Sequence, residues 1–77
     1  MKAIIEISKI DNEYFIAEAH YKGFLIVNGV KYKNIKTAIR YTKKWLVINI
    51  PDIDNFTVYF VDYDYPLSNV KRKIIKE

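Results

Sequence analysis

Apolar and polar positions alternate through the first part of the chain and then change period. Residues 2–10 (KAIIEISKI) put Ala3, Ile5 and Ile7 on one side of an extended chain and Ile4, Glu6 and Ser8 on the other, which predicts a strand. Asp11-Asn12 is turn chemistry. Residues 13–21 repeat the alternation, with Phe15, Ala17, Ala19 and Tyr21 against Tyr14, Ile16, Glu18 and His20. The small Ala17 and Ala19 let a helix approach closely, so their side is the expected core face. The two strands then form an antiparallel hairpin. Lys22-Gly23 interrupts the run, and residues 24–27 read as a short third strand. Asn28-Gly29 is a strong hairpin signal. It leaves residues 30–33 as either a return strand or the lead into a helix at Asn34.

The period lengthens at residue 34. Ile35, Ala38, Ile39, Thr42, Trp45 and Leu46 recur at threes and fours, the stripe of an amphipathic helix over 34–46. Asn34 is a suitable N-cap, because its side-chain oxygen can accept from an orphaned backbone N–H. The opposite side carries Lys36, Arg40, Lys43 and Lys44. Residues 46–50 fit either one more helical turn or a β-branched strand, and Pro51 keeps Ile50 out of helical geometry. Residues 51–55 are a loop on their turn chemistry. The run FTVYFVDY at 56–63 predicts a strand, with Phe56, Val58 and Phe60 on one face and Thr57, Tyr59, Val61 and Tyr63 on the other. Asp64-Tyr65-Pro66 ends it. Leu67, Val70, Ile74 and Ile75 outline a short basic C-terminal helix or a frayed tail over 67–77. The order β-β-β-α-β places the chain in the α+β class. We expect one domain over 1–77, a small antiparallel sheet of three to five strands, and one helix packed on one face.

With 77 residues and no Cys, the chain can build neither a disulfide staple nor a Cys metal site. Large side chains, or dimerisation, must enlarge a modest core. No apolar run approaches the roughly 18 residues that span a bilayer. Glu6 and Lys9 interrupt the N-terminal apolar run, which therefore lacks a signal-peptide core. A soluble, cytoplasmic protein is expected, in the host cytoplasm if the source is a virus. Ile, Lys, Asn and Tyr supply 37 of the 77 residues, all with A/T-rich codons, which suggests an A+T-rich genome of a bacterium, an archaeon or one of their viruses.

Charge is polarised along the chain. Residues 1–30 sum to −1, residues 31–44 to +6 without an acid, residues 51–65 to −4 without a base, and residues 66–77 to +3.

Little of this points to catalysis, and no enzyme activity is expected. There is one His, no Cys and no Gly-rich phosphate loop, Gly23 and Gly29 being the only glycines. His20 beside Glu18 could do acid–base work, but no nucleophile accompanies the pair. Asp52 with Asp54 and Asp62 with Asp64 have the spacing of oxygen ligands, yet the Gly and the bidentate Glu of a calcium loop are absent. Loop solvation and capping explain them, and no metal or cofactor is expected.

Two binding surfaces remain. Lys31, Lys33, Lys36, Arg40, Lys43 and Lys44, with Lys71, Arg72 and Lys73 of the tail, are candidate nucleic-acid contacts. A phosphate backbone favours such a row because each neutralised phosphate releases counterions. If the helix covers one sheet face, Tyr14, Ile16, Tyr59, Val61 and Tyr63 lie on the other, with Asp62 and Asp64 close by in sequence. These seven are candidates for a protein interface, where Tyr is enriched. Stacking of single-stranded bases, or coverage by the C-terminal segment, are further uses of that face. The expected partner is a protein or a second copy of the chain, in a regulator or inhibitor of the viral, mobile-element or antitoxin kind. A nucleic-acid module is the alternative, and no membrane partner is expected. If the acidic 51–65 segment shares the surface of the basic helix, the protein partner is favoured.

Through MKAIIE, NEYFIA and KTAIRYTKKWL, the layout of residues 1–46 resembles small HicB-type antitoxins, which place a three-stranded sheet before a helix. The Pro-Asp-rich turn of that family after the second strand is replaced here by AHYKGF, and no site residue carries over. The sheet-then-helix order is also similar to the arm-binding domains of phage integrases, from which the strand at 56–63 departs.

Overall fold

The computed structural model describes residues 1–10, 13–64 and 69–76. The Asp11-Asn12 turn and the Tyr65-Pro66 stop lie outside the described residues. Six elements run in order: β1 (Lys2–Ile10), β2 (Tyr14–Tyr21), β3 (Phe24–Tyr32), α1 (Ile35–Asn49), β4 (Asn55–Asp64) and β5 (Asn69–Ile74). The strands form one sheet in the order β3-β2-β1-β4-β5.

β1 and β2 pair antiparallel with Ile5 opposite Ala19 and Ile7 opposite Ala17. Ala3, Ile5, Ile7, Ala17 and Ala19 are fully buried beneath α1, as their alternation predicts. The small alanines let Ala38, Ile39 and Leu46 of the helix sit close to the sheet. Asn34 caps the helix, its Oδ1 accepting from the Thr37 N–H at 2.8 Å. Residues 46–50, open from sequence, resolve as helix through Asn49. Ile50 closes it by donating its N–H to the Leu46 carbonyl at 2.7 Å.

Three expectations are corrected. The sheet is mixed, because β4 pairs parallel with β1, Val58 standing opposite Ile5. The helix returns the chain to the end of the sheet where β1 begins, so the next strand must run alongside β1. Within the C-terminal segment, Asn69–Ile74 is a strand rather than a helix or tail, since β5 pairs antiparallel with β4. It covers the edge that β4 would otherwise expose, a tertiary gain that overrides the helical spacing of its apolar residues. Finally, Asn28-Gly29 is not a hairpin. The tight turn is Lys22-Gly23, both residues left-handed (φ 52° and 80°) as a two-residue hairpin requires. Gly29 (φ 77°) lies within β3, where the register against β2 shifts between Ala17 and Ala19 and again between Ala19 and His20. These are bulges, in which extra β3 residues oppose fewer on β2.

Candidate binding surfaces

α1 carries two apolar stripes. The inner one, Ala38, Ile39, Thr42 and Leu46, meets the sheet. The second is Tyr41, Trp45 and Ile48, at i, i+4 and i+7. Trp45 is 45% exposed and Ile48 67% exposed, although helical spacing alone places Trp45 in the core. The helix packs over β1, β2 and β3, so this second stripe stands beside β3, one of the two edge strands of the sheet. Between them runs a groove of about 610 Å³ lined by Ile26, Val30, Tyr32, Tyr41, Trp45 and Ile48 among others. Tyr32 and Tyr41 stack at 6.1 Å and 17°, tying β3 to the helix. Phe24 and Val30 leave β3 apolar and exposed along the same edge, while Leu25, opposite His20, is exposed on the far face. Sequence reasoning misses this site because periodicity identifies an apolar face without saying how wide a sheet lies under it. The available signal is the Tyr41–Trp45–Ile48 series, which makes the apolar arc wider than one packed stripe requires.

The sequence-derived cations do not form one patch. Lys36, Arg40 and Lys43 line a second depression of about 660 Å³, where Lys76 joins them above Ile35, Ile39 and Ile75. The Lys43 Nζ lies 5.4 Å from the centre of the Phe56 ring. Lys44 lines the apolar groove instead. Lys31 and Lys33 are exposed, and Lys31 pairs with Ile16 on the strand opposite. Along β5, Lys73 pairs with Phe60 and Lys71 with Asp62, on the helix side of the sheet, while Arg72 pairs with Val61 on the far side. Asp62 is exposed and, two residues beyond Phe60, lies on the same face of the sheet as the basic helix.

The tyrosine face is less open than its composition suggests. Val61 is 2% exposed, so it offers no contact to a partner. Tyr14, Ile16 and Tyr59 are half-buried. Tyr63 and Asp64 are placed by backbone pairing with Val70 and Asn69. At the centre stands Glu6, its side chain 16% exposed, reached by His20 Nε2 at 3.2 Å and Arg72 Nη2 at 3.3 Å. His20 therefore faces Glu6 on the neighbouring strand rather than Glu18 on its own, and Arg72 is committed to an internal carboxylate. Asp54 receives a 2.6 Å hydrogen bond from the N-terminal ammonium of Met1. That hydrogen bond and charge hold its carboxyl below the usual carboxylate range.

Among the described residues no three His, Cys, Asp or Glu side chains are placed to hold a metal. No helix among them is long and apolar enough to cross a membrane. Comparisons with protein-family models, with curated proteins and with solved structures yield no match to this chain.

Proposed function

We propose that this domain is a small non-enzymatic binding protein, a cytoplasmic regulator or inhibitor that acts by protein–protein contact through the groove between α1 and β3. One observation carries the reading. Trp45 and Ile48, with Tyr41 beside them, stay exposed against the equally exposed apolar edge of β3. A contiguous patch of this kind on a small domain marks a contact site, and Trp and Tyr are the residues that dominate such sites. Asp62 on the side of the basic helix also favours a protein partner over a polyanion. The experiment compares proteins retained from nuclease-treated lysate by the wild type and by Ile48→Gln. The substitution is exposed and helix-compatible, so the fold is kept. Partners held by the wild type and lost by the variant are expected. Identical retained sets, or retention abolished by nuclease, would contradict the reading.

A second reading has its own observation: Lys36, Arg40, Lys43 and Lys76 converge on one depression. This arrangement suits a phosphate backbone and predicts nucleic-acid affinity that falls steeply with salt. Affinity unchanged by salt, or by charge reversal of Lys36, Arg40 and Lys43, would remove it.

A further inference from the structure

We propose that the groove between α1 and β3 receives an amphipathic α-helix of a partner protein whose apolar stripe is flanked by carboxylates. This rests on the reading of that groove as the contact surface, and it names the occupant. Charge selects the sign of the partner. Lys44 lines the groove, and the Arg40 guanidinium stands 5.2 Å from the ring centre of Tyr41, which lines it too. Among the described residues, none that lines the groove is acidic. A second copy docked symmetrically would set Lys44 and Arg40 against cations of the same kind, whereas carboxylates on a partner would complement them.

The edge strand selects the shape. At this groove a partner strand would have to add along the β3 edge, whose two bulges interrupt the row of backbone groups that an added strand needs. A helix makes no such demand. It offers side chains at i, i+4 and i+7, the same spacing as Tyr41, Trp45 and Ile48, and seats them in a groove. The lining disfavours nucleobases, because Ile26, Val30 and Ile48 are aliphatic and the Tyr32 and Tyr41 rings already stack on each other.

The test uses Trp45, the single tryptophan of the chain, as reporter. A displayed library of random peptides is selected on the wild type alone. The expected binders carry large apolar residues at i, i+4 and i+7 and a net negative charge. In solution they should shift Trp45 emission and bind Ile48→Gln at least about tenfold more weakly. Replacing their Asp and Glu by Asn and Gln should cost a similar factor, about 1.4 kcal/mol. Binders that are neutral, basic or tolerant of proline, yet lost on Ile48→Gln, would overturn the acidic-helix occupant and leave protein contact at the groove standing. Binders indifferent to Ile48→Gln, or a tighter response to oligothymidylate than to any peptide, would overturn both.

Discussion

Thr42 is 2% exposed on the inner stripe of α1, and its hydroxyl has no hydrogen-bond partner among the described residues. A buried hydroxyl left unpaired costs about 1–3 kcal/mol. Thr42→Val removes the hydroxyl while keeping the branched shape, so a gain of about 1 kcal/mol is expected. Urea unfolding with an unchanged m-value checks it, and a loss of stability would mean that the hydroxyl is satisfied. Trp45 and Ile48 behave differently, because neither is needed by the core. Ile48→Gln should change stability by less than about 0.5 kcal/mol while weakening partner binding. At this scale the sequence is readable where one residue decides its own environment. Asn34 is legible as a cap, and Ala17 with Ala19 as the floor under a helix. Trp45 is not, because its exposure depends on where the edge of the sheet falls.

Among the elements, α1 depends on its cap. Asn34→Ala removes the acceptor for the Thr37 N–H and should cost about 1 kcal/mol. Gly29 makes a different test. A Cβ placed on it meets nothing within 4 Å, so Gly29→Ala is opposed only by the left-handed backbone. A cost of about 1 kcal/mol by thermal or urea unfolding is expected. A larger loss would show that the bulge also positions the β3 edge. The first two strands and the helix start are legible because each keeps one period throughout. β5 is not. Val70, Ile74 and Ile75 fit helical spacing as well as alternation, and only the free edge of β4 decides between them. The parallel register of β4 is equally hidden, since it is set by the path of the helix and not by any residue within the strand.

For the whole molecule, the arrangement of charge matters more than its sum. The cations singled out from sequence separate into a depression at Lys36, Arg40 and Lys43, where Lys76 joins them, a rim at Lys44, and Arg72 paired with Glu6. The polarity is legible along the chain but this division is not, because strand alternation sends Arg72 and its neighbours Lys71 and Lys73 to opposite faces. The candidate interface likewise moves from the tyrosine face, where Val61 and Glu6 are committed to the chain itself, to the helix and edge strand.

The central claim is that partners meet the α1–β3 surface. A photo-crosslinking residue installed at position 48, and separately at position 59 on the far face, tests it in the cells that make the protein. Discrete protease-sensitive adducts from position 48, with none from position 59, are the expected result. Adducts from position 59 alone, or nuclease-sensitive adducts from position 48, would contradict it.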